Sequence, residues 1–371
     1  MMHGAQNLRS DRMDKAVIAK RIRTIRREIS RRGLDCLILT KPVNVTHATG
    51  FMGEDSWGLV TKTRVYLVTD SRYTEQACGE CPSCRIVERK KSLADAVARI
   101  VEKAKSIGSV GVEKHISLAD FDVLKKCVKP RPKPVADIPE LARGVKDDHE
   151  IKAIRKSGSI ASLSLRQTLG QIRPGISESE LAGRLDLQMR KLGATTGFDT
   201  IVAFGANASR PHHQPGKRKL RKNDTVLIDF GASYDGYCSD ITRCFIVGRP
   251  TKLFQEVFDA VELAQAAAIS KVRAGARLFD VDAAPRRVIE KAGFEVYGHG
   301  TGHGFGLEIH EAPFLKPEAK GVLKAGQIIT IEPGIYMPGR LGVRIEDDVL
   351  VTKTGCEVLT RRCSHSPILP G

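Results

Sequence analysis

Four carboxylates stand inside two apolar, strand-like segments, and their placement is the strongest chemical signal in the chain. The first segment runs Val226-Leu-Ile-Asp229-Phe, turns at Asp235-Gly236 and returns as Asp240-Ile-Thr-Arg243. An Asp-Gly pair between two strand patterns marks a two-residue hairpin. That turn pairs Asp229 with Thr242 and Gly231 with Asp240, so Asp229 and Asp240 become diagonal neighbours on one face. Two acids on one face behind an apolar strand repel each other, and they persist where a cation lies between them. The other reading is a solvent-exposed pair, which the apolar run into Asp229 disfavours.

The second segment is Ile328-Ile-Thr-Ile-Glu332, a bend at Pro338-Gly339, and a return through Val343-Arg344-Ile345-Glu346. Period-two alternation puts Arg344 and Glu346 on one face of the returning strand. Taken alone, a Glu beside an Arg could be a structural ion pair; two hairpins that each present two acids are harder to explain that way. Between them lies Gly298-His299-Gly300-Thr-Gly302-His303-Gly304-Phe-Gly306, followed by His310-Glu311. Glycine lets a backbone approach a ligand or another strand closely, and one of these histidines can complete a metal site as a neutral imidazole. His212 and His213 sit on an earlier loop. Four carboxylates and one imidazole suit Mn, Co, Fe or Zn, with the oxygen-rich set favouring Mn. Two such ions activate a water and polarise a carbonyl, which is amide hydrolysis.

The elements that must carry these residues can be read from periodicity. Ile18, Ile22, Ile25 and Ile29 recur at helical spacing over 15–33, with Gly33 as the stop. Strands are expected at Cys36–Thr40, Val65–Thr69 and Ser109–Val112, with a helix over Leu93–Ser106. This alternation means an α/β domain, which Pro130-Arg-Pro-Lys-Pro134 should end. Helices are then expected over 147–171 and 177–192, the second opened by a capping box from Ser177 to Glu180. Strands follow at 199–204, 225–230 and 241–247, helices at about 251–272 and 281–292, and strand-rich sequence to 359. Helices followed by strands, twice over, hint at an internal duplication.

The chain has 371 residues, enough for two domains, with 41% hydrophobic and 28% charged residues. No apolar run approaches the ~18 residues that cross a bilayer, and the N-terminus has no apolar signal core; a cytoplasmic location is expected. Asp11 and Asp14 count against a transit peptide. The net charge is +17, with ten Lys/Arg against three Asp/Glu in residues 1–32 and a second basic cluster at Lys217–Lys222. These read as solvated faces or as surfaces that hold nucleic acid non-specifically. Nine scattered cysteines point to free thiols in a reducing compartment. Cys78, Cys81 and Cys84 have part of the spacing of a zinc or iron–sulfur site, without a fourth ligand; the other reading is a cysteine-rich turn between two strands.

The phrases IDFGASYDGYCSDITR, GHGTGHGFGLEIHEAP, ITIEPGIY and GVRIEDDV resemble those of the pita-bread metallopeptidases: methionine aminopeptidase, aminopeptidase P, prolidase and creatinase. TGF at 49–51 and VTDSRYTEQA at 68–77 resemble the additional domain of the aminopeptidase P, prolidase and creatinase branch. The resemblance covers about 15–360. It implies an N-terminal extension at 1–14, a creatinase-like α/β domain with a ribonuclease H-like mixed sheet at 15–140, and a pita-bread α+β catalytic domain at 141–371. It implies two divalent metal ions, held by Asp229, Asp240, His303, Glu332 and Glu346, with Asp240 and Glu346 bridging. It makes Glu332 also the proton acceptor, His212 a substrate contact that moves protons, and His310 a partner of the scissile carbonyl oxygen. Arg344, Tyr237 and His299 stand as supporting residues, while His213 and Glu311 read as structural.

The activity this implies is cleavage of an Xaa-Pro bond in small peptides, as an aminopeptidase P or a prolidase, by a homodimer or tetramer. Trp57, in the loop Gly53–Trp57, could serve a subunit contact or pack locally. Two alternatives stand beside it: a creatinase-like amidinohydrolase, against which the complete ligand set argues, and a non-catalytic binding module of the same fold, whose members typically lose ligands.

Overall fold

Ile18, Ile22, Ile25 and Ile29 line the buried stripe of helix α1 (Lys15–Arg31). Asp14 caps it by accepting from the Ala16 amide, and Gly33, at φ +65°, follows its end. The computed structural model describes residues 14–104, 106–361, 363 and 367–369. The chain divides into two units, Met1–Arg143 and Gly144–Gly371.

The first unit is a six-stranded mixed sheet. Its strands are β1 (Cys36–Leu39), β2 (Trp57–Thr61), β3 (Val65–Thr69), β4 (Arg85–Glu88), β5 (Val110–Glu113) and β6 (Lys133–Val135), in the order β4-β3-β2-β1-β5-β6. β1–β2 and β2–β3 are antiparallel; β3–β4, β1–β5 and β5–β6 are parallel. The helices are α1, α2 (Pro42–Thr49), α3 (Thr74–Glu80), α4 (Leu93–Lys103), α5 (Leu118–Cys127) and α6 (Ile138–Arg143). One face of the sheet packs Leu37, Leu39 and Leu67 against α1. The other packs Ile38, Leu59 and Val68 against Val97 and Val101 of α4 and Leu124 of α5. Helices on both faces of a mixed sheet are the α/β arrangement that the alternation implied.

Three local expectations change. Pro134 lies inside β6 rather than beyond the last strand, because β6 is the sheet edge, where a missing N–H costs no ladder bond. Trp57 opens β2 and is buried among the residues of the α4 face, so it packs locally. Cys78 lies in α3 and Cys81 is its buried C-cap, so the segment is a helix end rather than a turn between strands. All three cysteines are free.

The second unit repeats its elements. Helices α7 (Asp148–Thr168) and α8 (Glu178–Lys191) lead to β7 (Thr195–Thr196), β8 (Ile201–Phe204), β9 (Thr225–Phe230), β10 (Ala232–Tyr234), β11 (Tyr237–Cys238) and β12 (Ile241–Val247). Helices α9 (Lys252–Ile269) and α10 (Leu278–Lys291) lead to β13 (Gly302–Gly304), β14 (Glu311–Leu315), β15 (Ile328–Ile331), β16 (Gly334–Met337), β17 (Leu341–Arg344), β18 (Asp347–Val351), β19 (Cys356–Val358) and β20 (Ile368–Leu369). The sheets run β20-β12-β9-β8 and β14-β13-β15-β18-β19. The first buries Val202, Val226, Ile228 and Phe245 against Leu165, Leu181 and Leu185. The second buries Ile329, Ile331 and Val349 against Ala268, Leu278 and Val281. Two helix pairs backing two bent sheets form the pita-bread fold. The reciprocal capping box belongs to α7, between Asp147 and Glu150. At α8, Ser177 accepts from the Glu180 amide, but the Glu180 carboxylate turns to Arg184.

A carboxylate and histidine cavity

Asp229 lies within its ladder, and the other three acids sit where the ribbons leave the regular ladder. β9 and β12 pair Asp229 with Thr242 and Phe230 with Ile241. The tip turns at Asp235 (φ +51°) and Gly236 (φ +78°), the signs of a type I′ hairpin. In the second ribbon β15 pairs Ile331 with Asp347, and β16 pairs Gly334 with Arg344. Glu332-Pro333 and Ile345-Glu346 fall in the gap. There the Glu332 amide donates to Thr301 O (2.8 Å) and the Glu346 amide to Thr242 O (3.2 Å). The Asp240 amide donates to Asp348 Oδ1 (3.2 Å). Neighbouring strands thus take the backbone bonds that the ladder gives up, and the side chains are free to converge.

They converge on a cavity of about 290 Å³ lined by Asp229, Asp240, His303, Glu332, Glu346, His212, His310, His299 and Arg344. Donor atoms of Asp240, His303 and Glu346 lie within 4.8 Å of one another. His303 Nε2 stands 3.7 Å from Asp240 Oδ2 and 3.4 Å from Glu332 Oε1. Its Nδ1 donates to Gly304 O at 3.1 Å, which leaves Nε2 as the lone-pair nitrogen facing the acids. Gly302 is required beside it: a Cβ there would lie 1.9 Å from Thr330 O, so only glycine lets β13 approach β15.

Burial sets the charges. The carboxyls of Asp240 and Glu346 rise well above the usual range, first through loss of water and then through the charge of the neighbouring acids. Burial raises Asp229 and brings Glu332 to about 7. Burial lowers His303 to about 4 and also lowers His310, whose ring centroid is 4.4 Å from that of His303. The site is therefore neutral imidazole among crowded acids. Asp229 Oδ2 accepts from Arg344 Nη2 at 2.7 Å, while its buried Oδ1 has no hydrogen-bond partner. An orphaned carboxylate oxygen among mutually repelling acids fits a divalent cation, and the oxygen-rich set with one imidazole fits Mn, Co, Zn or Fe.

The supporting residues divide. Arg344 also donates from Nε to Thr242 Oγ1 (3.0 Å) and from Nη1 to Tyr336 OH (3.0 Å). The acid it bonds is Asp229 of the other ribbon, and not Glu346, whose local pairing with it was the alternative reading of the sequence. His299 donates from Nδ1 to Gly300 O (2.7 Å) and accepts at Nε2 from Tyr336 OH (3.0 Å). Tyr237 does not line the cavity; its hydroxyl donates to Glu150 Oε1 at 3.3 Å. His213 bonds buried Glu178 at 2.9 Å, and Glu311 pairs with Lys146 at 2.9 Å. Cys78, Cys81 and Cys84 do not assemble as donors: among the described residues the one such group is Asp240, His303 and Glu346.

Sequence reading missed three contributors. Thr242 donates to Glu346 Oε2 at 2.6 Å; the hairpin register put it opposite Asp229 but gave no reason to look at its hydroxyl. Tyr336 joins Arg344 to His299, and only the fold brings the three together. Lys316 lines the cavity and makes no ion pair among the described residues. Apolar walls come from Phe198, Ile201, Ile309 and Phe314.

Comparison with known proteins agrees with this geometry. Residues 152–353 match the model of metallopeptidase family M24, and 21–145 match that of the creatinase/prolidase N-terminal domain. An uncharacterized peptidase of Bacillus subtilis is 36% identical over 339 residues, covering 90% of this chain and 95% of the relative. An Xaa-Pro dipeptidase from Bacillus anthracis superposes with TM-score 0.92 at 36% identity, over 95% of this chain and 100% of its own. An X-Pro aminopeptidase from Thermotoga maritima gives 0.86 at 34%, over 93% and 100%. A prolidase from Pyrococcus furiosus gives 0.83 at 33%, over 91% and 99%.

Proposed function

The chain belongs to metallopeptidase family M24, and from that premise we propose that it hydrolyses the bond before proline, at the N-terminus of peptides or in dipeptides, as an aminopeptidase P or prolidase. The carrying observation is that five potential ligands and three further histidines line one small cavity with apolar walls. The walls suit a proline ring and a short side chain, and the volume suits the end of a peptide. The names of the superposed structures, which include dipeptidases and an aminopeptidase, support the same substrate class.

Asp229, Asp240, His303, Glu332 and Glu346 would hold two divalent cations, with Mn the best match. Such ions supply Lewis acidity and make a water acidic enough to attack near neutral pH. Glu332 accepts the proton of the attacking water and returns it toward the leaving nitrogen. His310, a neutral donor beside His303, steadies the carbonyl oxygen as charge develops. His212, exposed at the cavity mouth, contacts the peptide and moves protons. Arg344 keeps Asp229 oriented, and Tyr336 and His299 hold Arg344 from behind. The same reading assigns 15–140 to the N-terminal domain and 141–371 to the catalytic domain, and expects a homodimer or tetramer.

The test is hydrolysis of Gly-Pro, Gly-Pro-Ala and Gly-Ala-Ala by metal-stripped protein, with and without Mn or Co. Metal-dependent cleavage of the proline peptides alone is the expected result, and the dipeptide-to-tripeptide ratio separates prolidase from aminopeptidase P. Cleavage of Gly-Ala-Ala at an equal rate, or no cleavage with any metal, overturns the proposal.

A further inference from the structure

The first unit carries two cavities that the peptidase reading leaves unused. One, of about 710 Å³, is lined by Arg64, Arg85, Lys90 and Lys103 around a floor of Tyr66, Val87 and Ile100. The other, of about 780 Å³, is lined by Arg23, Arg26, Arg64 and Arg85, with no acid in its wall. Thr63, Arg64 and Arg85 belong to both.

The two lie on opposite faces of the sheet. Val65 and Tyr66 are consecutive in β3, so their side chains point to opposite sides. Val65 packs with Ile18 and Ile22 of α1, and Tyr66 packs with the cluster of Val97 and Val101 of α4. Arg85, at the start of β4, is the register partner of Tyr66. Arg64 and Arg85 therefore form a saddle at the end of β3 and β4, over which one face passes into the other.

The charge on this saddle is unmatched. The cavity on the α4 side contains acids, but Asp35 is taken by Lys62 (2.5 Å) and Asp95 by Arg99 (2.9 Å). The third, Glu88, accepts from Thr74 Oγ1 at 2.9 Å. Arg23, Arg26, Arg64, Arg85, Lys90 and Lys103 make no ion pair among the described residues; Arg26 spends its Nε on Thr61 O. All but Arg26 are exposed, while Tyr66, Val87 and Ile100 are half-buried. Cations above an aromatic and aliphatic floor suit phosphates above stacked bases. A small anion fills one cavity only. A duplex, stiff over about 150 base pairs, does not fold around the end of a strand. A flexible chain with a charge at every repeat does.

We infer that single-stranded nucleic acid binds across this saddle, with backbone phosphates on Arg64 and Arg85 and bases over Tyr66. The basic segments noted in the sequence, at 1–32 and 217–222, give general attraction; the saddle gives a track with a defined place. This inference is independent of the peptidase reading.

The experiment is fluorescence anisotropy of a labelled oligouridylate of about 12 nucleotides with the full chain, titrated between about 50 and 200 mM salt. The Arg64→Gln/Arg85→Gln variant should weaken binding about tenfold or more and flatten the salt slope by about 1.4, at about 0.7 for each phosphate no longer neutralised. Lys219→Gln/Lys222→Gln removes the same charge from the other unit and should leave affinity within about twofold. Both arginines are exposed and their side chains make no ion pair among the described residues, so an unchanged melting temperature and unchanged peptide hydrolysis report an intact fold. Equal weakening in the two variants, equal affinity for a duplex of the same length, full displacement by uridine monophosphate, or no binding at low salt each overturns the inference.

Discussion

The two ribbons of the second unit deliver the same product, a pair of converging acids, by different backbone devices. In the first, β9 and β12 remain paired up to Phe230 and Ile241, and Gly231 allows a pinch: a Cβ there would lie 1.8 Å from Ser239 O. In the second, Pro333 follows Glu332, and the ladder stops at Ile331–Asp347 and resumes at Gly334–Arg344. One ribbon draws close because a residue has no side chain, the other opens beside a residue that has no N–H. The charge content differs too. The first contributes Asp229 and Asp240; the second contributes Glu332, Glu346 and the arginine that holds Asp229. The ribbons are tied by Arg344–Asp229 (2.7 Å), Thr242–Glu346 (2.6 Å) and Arg243–Asp347 (2.7 Å). Neither half is a site alone, because the two are held together by side chains that cross from one ribbon to the other.

The largest expected effects test whether the ribbons contribute equally. Asp240→Ala on one and Glu346→Ala on the other should each abolish hydrolysis of Gly-Pro and leave little metal by elemental analysis after dialysis. Turnover retained in one but not the other would mean that one ribbon holds the ions by itself. His212 belongs to neither ribbon. His212→Ala should keep full metal content and slow turnover by about 10²–10⁴-fold, the range for losing a proton-transfer group. Loss of metal in that variant would move His212 among the ligands.

Arg344→Ala attacks the tie between the ribbons. It leaves Asp229 buried and unpaired, which should cost about 3–5 kcal/mol of stability and about 10–100-fold in metal affinity or activity. Thermal melting with and without Mn measures both. Excess Mn should recover part of the stability, since a cation compensates the stranded carboxylate. Melting unchanged in the metal-free variant would mean that the tie is ornamental.

The acids and their ribbons were legible because the signals are short-range. Asp235-Gly236 specifies its own turn, and the turn specifies the register that sets Thr242 opposite Asp229. Helix stripes such as Ile18 to Ile29 are periodic and equally local. What stayed hidden was set by topology. Pro134 looked like a terminator because its position at a sheet edge depends on β5. Glu180 completed a capping pattern, but Arg184, one turn on, competes for its carboxylate. Arg344 was legible as a support for the acids, with a pair to Glu346 as the alternative; that it bonds Asp229, 115 residues distant in sequence, was not. The saddle of Arg64 and Arg85 was invisible for the same reason: two arginines from separate segments become neighbours only through the parallel pairing of β3 and β4.

The smallest expected effect concerns a residue outside both ribbons. Lys316 follows β14, lines the cavity and is exposed. A dipeptide leaves a free carboxylate one residue beyond the scissile bond; a longer peptide leaves a neutral amide there. A cation that meets this carboxylate stabilises dipeptide binding and is indifferent to longer substrates. Because the ammonium is exposed and screened, its loss is worth only about a two- to fivefold change, the scale of a surface ion pair. Lys316→Ala should therefore raise KM for Gly-Pro by about that factor, leave kcat in place and leave Gly-Pro-Ala unchanged. An equal rise for both substrates would show that Lys316 shapes the cavity without reading the carboxylate, and the choice between dipeptides and longer peptides would then have to be made by the ribbons and the apolar walls alone.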